Sequence, residues 1–176
     1  MKKKLLVLLC TVQACILRAQ YKPVESKSSI KFSIKNFGIP VSGTFAGIGG
    51  NINFDPKHIE QGLFNVTIKS TTVNTDNNLR DDHLREETYF DSEHYPLISF
   101  ASTRITTGNN GLFTVYGILT IKNHSKEVTV RFTAAPTGDD YLFNGQFTVN
   151  RKDYAVGGNS IIADNATILL SVFATK

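Results

Sequence analysis

The chain has 176 residues, with 19 Lys and Arg against 15 Asp and Glu, a formal net charge of +4, and 12 Phe but no Trp. Four of the basic residues (Lys2, Lys3, Lys4 and Arg18) and both cysteines (Cys10 and Cys15) fall within the first 20 positions, so the remainder holds 15 basic and 15 acidic residues and no thiol. That balance excludes a basic nucleic-acid interface and a disulfide scaffold, and it leaves roughly 156 residues, enough for one domain with a substantial core.

The first 20 residues read MKKKLLVLLCTVQACILRAQ. A basic start is followed by an apolar run over residues 5–17, shorter than the roughly 20 residues a membrane span needs. This is the layout of a secretory signal peptide, and it predicts cleavage at Ala19 or Gln20 and a periplasmic or secreted domain. Val12-Gln13-Ala14-Cys15 is a loose lipobox, so lipoprotein processing at Cys15 is the second reading; the Gln before the small residue fits that motif poorly.

Beyond this segment apolar residues recur at every second position, the period of a strand with one buried face. Ile30, Phe32 and Ile34 alternate with Ser29, Lys31, Ser33 and Lys35. Val41, Gly43 and Phe45 follow Pro40, and the glycines 47, 49 and 50 separate them from Ile52 and Phe54. Phe64, Val66 and Ile68 make the next run. After an interruption, Ile98 and Phe100 open another strand. Asn109-Asn110-Gly111 then turns the chain into Phe113, Val115, Gly117, Leu119 and Ile121. Lys122-Asn123-His124-Ser125 leads into Val128, Val130 and Phe132, and Gly138-Asp139-Asp140 into Tyr141, Phe143, Phe147 and Val149; Ile168, Leu170 and Val172 come last. About eight antiparallel strands with short turns close into an up-and-down barrel or stack as a sandwich, and eight is the size at which a barrel holds one small ligand. Gly43, Gly117 and Gly145 interrupt apolar faces, marking either bends of a tight barrel or places where a ligand comes close.

The interruption, residues 79–100, reads LRDDHLREETYFDSEHYPLISF. It begins as dense charge on helix formers and turns aromatic around Pro96. A lone helical insertion in an all-β chain is the kind of long connection that serves as a lid or a binding element.

Several separated motifs then align. They are Ser28-Ser29-Ile30-Lys31-Phe32, Val41-Ser42-Gly43-Thr44-Phe45, Arg80-Asp81-Asp82-His83-Leu84, Tyr89-Phe90-Asp91, Tyr95-Pro96-Leu97-Ile98-Ser99-Phe100, Gly117-Ile118-Leu119-Thr120-Ile121 and Asn150-Arg151-Lys152-Asp153. In this order, and across the whole of residues 21–176, the chain resembles the YceI-like family of secreted lipocalin-like proteins. It departs from the usual pattern at Tyr154-Ala155-Val156-Gly157 and at Lys122-Asn123-His124. The resemblance implies an all-β fold, an eight-stranded antiparallel lipocalin-like barrel with a short helical insertion around residues 76–92. It also implies an elongated apolar cavity for a polyisoprenoid or similar lipid, and a homodimer. The expected division is a signal peptide over residues 1–20 and one lipid-binding barrel domain over residues 21–176.

Alternation turns Phe32, Phe45, Val66, Ile68, Phe100, Val115, Leu119, Phe147, Val149 and Ile168 inward, and Leu84, Tyr89 and Phe90 are placed to cover one end; Phe90 completes the expected cavity lining. Two jobs compete for the charged motif residues Arg80, Asp81, His83, Arg151 and Asp153. Arg80 and Asp81 tie the insertion to the barrel through a bidentate pair with Asp153 or Arg151, or Arg80, His83 or Arg151 faces the mouth and meets an anionic head group. His83 has ligand spacing to Glu86 and Glu87, but the four histidines are scattered and no cysteine remains, so no metal and no cofactor is expected. No G-x-S-x-G elbow supports a hydrolase, and no catalytic residue is assigned. The leading expectation is an extracytoplasmic, non-enzymatic carrier of a long isoprenoid or similar apolar lipid, with a homodimer and a transient membrane contact as further partners and no nucleic acid. The alternative is an envelope stress or structural interaction module with a filled core.

Overall fold

A computed structural model describes residues 20–176; residues 1–19 of the expected signal segment, Ala19 and Cys15 among them, lie outside the described residues. Ten strands run in order: β1 (Gln20–Pro23), β2 (Ser29–Asn36), β3 (Ile39–Phe45), β4 (Gly49–Asn53), β5 (Leu63–Lys69), β6 (Leu97–Thr107), β7 (Leu112–Ile121), β8 (His124–Thr137), β9 (Asp140–Asn150) and β10 (Asn165–Thr175). One α-helix, α1 (Asn78–Arg85), lies between β5 and β6. The helix is shorter than the expected insertion: it stops at Arg85, and turns carry the chain on to Pro96.

All strand pairs are antiparallel, in the order β1-β4-β5-β6-β7-β8-β9-β10-β2-β3, and a β1–β10 pairing closes the ring. β10 pairs along the same edge with β2 at residues 167–171 and with β1 at Lys22↔Thr175 and Pro23↔Ala174. β1 and β2 therefore act as one stave bent at residues 24–28, and β3 and β4 as another interrupted at residues 46–48. Ten strands thus make the eight staves of a closed barrel. β1 has no alternating pattern long enough to read from sequence; it is held by Tyr21, which is 5% exposed in the core.

The two ends of the barrel differ. At one end Phe54, 2% exposed, packs edge-on against Phe113, Tyr141 and Phe143 at 5.1–5.2 Å, and Phe64 and Phe132 close the ring of aromatics around it. Each such pair adds about 0.5–1.5 kcal/mol beyond its buried area. This cluster plugs that end.

At the other end the wall has a gap. β5 stops at Lys69 while β3 runs on, so Thr44 pairs with Asn74 of the following segment instead of with a strand. Residues 70–96, including α1, fill the gap. Asn77 caps the helix by accepting from the Arg80 N–H at 3.0 Å. The helix charges hold it to residues 71–75. Asp81, 4% exposed, accepts from the backbone N–H of Thr75 at 2.9 Å and from its hydroxyl. Arg80 donates through Nε to Thr75 Oγ1 and through Nη2 to the Thr75 carbonyl, both at 2.7 Å, and Arg85 donates to the carbonyls of Thr71 and Val73. The anticipated pairing of Arg80 or Asp81 with Arg151 or Asp153 is not formed. Thr75, five or six residues away, satisfies both first, because a local partner costs less chain order than one across the barrel.

Two of the three glycines in the apolar faces, Gly43 and Gly117, have a role other than a bend or a ligand contact, and Gly145 lines the cavity described below. A Cβ on Gly117 would sit 2.5 Å from Phe100 Cζ and 2.6 Å from the Ala101 carbonyl oxygen, and one on Gly43 would sit 2.5 Å from Phe32 Cζ. Gly145 lies opposite Phe132 in the β8–β9 register. Gly43 and Gly117 each make room for a phenylalanine ring to lie across a neighbouring strand, whereas a Cβ on Gly145 would meet the Arg131 carbonyl oxygen at 3.2 Å and no ring.

Candidate functional site

Between the aromatic plug and the insertion the barrel encloses a cavity of about 260 Å3. A single water needs only about 10–15 Å3 of such space, so the barrel is not filled by its own side chains. All eleven residues expected to line it do so, from Phe32 on β2 to Ile168 on β10. Sequence reading missed several others, among them Ile30, Ile48, Ile98, Val130 and Leu170. All but Ile48, which lies in the break between β3 and β4, belong to the alternating runs and were legible in them. Ala166 and Val156, which also line the wall, carried no such signal.

The lining sets the cavity's shape. Val115 and Ile121 both line it from β7 and are six positions apart, about 20 Å along a strand. Phe143 and Val149 mark the same length on β9. Phe64, Phe132 and Phe143 form the floor, and Leu84, Tyr89 and Phe90 of the insertion stand at the top. Phe90 meets Phe45 edge-on at 5.2 Å and so fixes the insertion over the cavity. Only Lys31, Thr67, Tyr89, Ser99 and Arg151 bring polar side chains to the lining. The space accepts a narrow hydrocarbon and offers almost nothing to a polar one.

Arg151 is the least obvious of these. It is 6% exposed, and its guanidinium donates from Nε to Ala163 O, from Nη1 to Val156 O and Gly158 O, and from Nη2 to Ser160 O and Ile162 O, at 2.8–3.1 Å. Those are all five of its donors. Arg151 therefore has no donor for a head group; it organises the 151–164 loop. Asn150 starts that loop by accepting from the Lys152 N–H at 3.0 Å. Asp153 is exposed and makes no ion pair among the described residues. Beside it Tyr154 is 1% exposed, and its hydroxyl has no partner. Burial, with a smaller contribution from the Asp153 charge, pushes that phenol up to about 12.

An outer groove adjoins the cavity. Leu84, Tyr89 and Ile162 line both the cavity and this shallow groove, whose remaining walls are Asn36, Asn77, Leu79, Arg80, Asp82, His83 and Glu86. Arg80 and His83 thus line the outer groove beside the cavity. His83 Nδ1 lies 3.0 Å from Glu86 Oε2, and its ring lies 5.1 Å from that of Tyr89. Below them the hydrogen bond to Asp91 at 2.7 Å, and then the charge of that carboxylate, raise the His94 imidazole above its ordinary value. Each histidine of the insertion faces its own carboxylate, and no group of three or more His, Cys, Asp or Glu converges among the described residues.

The profile of the YceI-like domain matches residues 21–174. The chain belongs to the YceI-like family. Its barrel superposes on the crystal structure of Burkholderia cenocepacia BcnA with a TM-score of 0.82 at 28% identity, over 87% of this chain and 99% of that one. A polyisoprenoid-binding domain from Saccharophagus degradans, implicated in plant cell wall breakdown, shares the fold with a TM-score of 0.70 at 13% identity, over 88% of this chain and 97% of that one. Protein YceI of Escherichia coli O6:H1 is 33% identical over 112 residues, 63% of this chain and 58% of its own length. A UPF0312 protein of Vibrio parahaemolyticus is 29% identical over 114 residues, 64% of this chain and 60% of its own. The match spans about three fifths of the length of these curated relatives. The eight-stave barrel and its insertion are accordingly those of the YceI-like fold.

Proposed function

We propose that this YceI-like barrel is an extracytoplasmic, non-enzymatic carrier of one long isoprenoid chain, held lengthwise in the cavity with its polar end at the outer groove. The observation that carries the reading is the shape of the interior: an apolar slot whose lining runs about 20 Å along the strands, floored by aromatic rings at one end and adjoined at the other by a polar groove that shares Leu84, Tyr89 and Ile162 with it. A linear hydrocarbon with one polar end fits that polarity. Each methylene buried contributes about 0.8 kcal/mol, so the tail dominates affinity, and an exposed ionic contact at the head adds about 1 kcal/mol or less. Arg80 is the cation placed for that contact; its Nη1 makes no hydrogen bond among the described residues. The N-terminal segment supports export, and the S. degradans domain supports the choice of lipid. A second copy in a homodimer remains part of the proposal by family resemblance. The filled-core module is the weaker reading, because the core is not filled.

The test is a titration with a long-chain prenyl alcohol and its phosphate against the parent and three variants. Leu119→Asp sets an unpaired carboxylate in the cavity and should abolish binding of both ligands. Ala166→Phe obstructs the slot without a charge, and should weaken both while thermal melts confirm the fold. Arg80→Gln should weaken the phosphate alone, by about fivefold or less. Full binding by a folded Ala166→Phe variant would remove the cavity from the account.

A further inference from the structure

The turn between β2 and β3 is Phe37-Gly38, with φ of 51° and 79°. Two positive φ values in a two-residue hairpin make a type I′ turn, whose first position favours Asn, Asp or Gly. A bulky residue there is a genuine outlier, yet here a phenylalanine occupies it, 75% exposed. Ile39, the first residue of β3, is 68% exposed beside it. Neither side chain contributes to the core, and the first is held in an unfavourable backbone state.

Two more exposed aliphatics stand at the same end. Asn36, just before the turn, bridges to Ile162 and lines the outer groove with Leu79, which is 83% exposed; Ile161, next to Ile162, is 64% exposed. The hairpin tip, the start of α1 and the 151–164 loop thus border the mouth of the cavity with protruding apolar side chains. Together they expose on the order of 500 Å2, below the roughly 800 Å2 per partner of a stable protein interface. An apolar area too small for a stable protein partner suits a deformable apolar layer better than a rigid one. Charge does not decide the occupant: Lys35 and Arg80 have no carboxylate within 4 Å among the described residues, and the exposed Asp76, Glu87 and Asp153 likewise have no ion pair there.

We infer that this rim is a membrane-docking surface: Phe37 and Ile39 insert into the outer layer of a lipid bilayer and set the cavity mouth against it. The inference rests on the carrier reading for its purpose but not for its test. A lipid tail then passes from bilayer to cavity past Leu84, Tyr89 and Ile162 without crossing water.

The chain has no tryptophan, so Phe37→Trp places a single indole at the tip. On addition of phosphatidylethanolamine–phosphatidylglycerol vesicles its emission should shift to the blue and be quenched by brominated acyl chains. Phe37→Asn should lower vesicle partitioning about tenfold or more, while its melt stays level or rises because Asn suits the turn. Emission unchanged by vesicles, or parental partitioning of Phe37→Asn, overturns the inference. So does a blue shift without vesicles that accompanies a doubled mass, since the occupant is then a second copy. Prenyl-alcohol titration in vesicle-free buffer separates the two claims: failed docking leaves it intact, and failed titration with an intact vesicle shift rejects the carrier reading alone.

Discussion

At the scale of single residues, the interior is governed by space that one atom would remove. Gly117 is the sharpest case, because a methyl group there meets both the Phe100 ring and the Ala101 carbonyl. The ring can turn; the backbone oxygen cannot. Gly117→Ala should destabilise the protein by about 1–3 kcal/mol in urea unfolding and narrow the slot, since overpacking forces neighbours off their rotamers. A change below about 0.5 kcal/mol would show that the strand yields more readily than the geometry indicates. Tyr154 makes the opposite case. Its hydroxyl is buried without a partner, so Tyr154→Phe removes an unsatisfied group and should leave stability at pH 7 unchanged or higher. The pH dependence has a definite sign. The phenol titrates near 10.0 when unfolded and about 12 when folded, so its contribution is fully present below pH 10.0 and is lost as pH rises towards about 12. Parent and Phe variant should therefore diverge in melts between pH 10 and 12, with the parent falling faster. Parallel curves would refute it.

At the scale of elements, the two segments outside the barrel, residues 70–96 and 151–164, decide what the mouth looks like, and they are joined. The Gly157 N–H donates to Thr88 O at 2.8 Å, and Lys122 Nζ, from the β7–β8 turn of the barrel, reaches Glu87 O of the first segment at the same distance. Arg151 holds the second segment from within. Arg151→Ala leaves five buried or half-buried carbonyls without their donor, so it should cost about 3 kcal/mol or more and loosen retention of charged and neutral lipids alike. A folded variant that loses only phosphorylated ligands would instead restore a head-group role to Arg151. Here lies the limit of legibility. The alternation of Phe64, Val66 and Ile68, or of Val115, Leu119 and Ile121, determines both strand and inward face, because period two and burial on one side leave a single register. The charged residues of Arg80–Asp81 and Arg151–Asp153 were recognisable as a motif, yet their partners were not. Hydrogen bonds to backbone carbonyls depend on a loop path that no periodicity encodes. Phe37 carried no signal beyond its place before Gly38; only the turn geometry and its exposure set it apart.

At the scale of the whole molecule, the barrel has a direction. One end is plugged by aromatic rings, the other opens between the β2–β3 turn, α1 and the 151–164 loop, and the slot between them is apolar along its length. A chain with no disulfide in residues 21–176 keeps that slot open because eight staves hydrogen-bond in a closed ring, leaving no free edge through which the wall can collapse. The number of staves was readable from the count of alternating runs. The closure was not, since β1 is four residues long and its pairing with β10 joins the two ends of the described chain. Occupancy of the slot is the property on which the account stands. Native mass spectrometry of the purified protein, followed by organic extraction, measures it directly. The account predicts a protein mass increased by a single prenyl lipid that extraction releases. A bare protein mass, with no uptake when a long-chain prenyl alcohol is supplied in vesicle-free buffer, would contradict it.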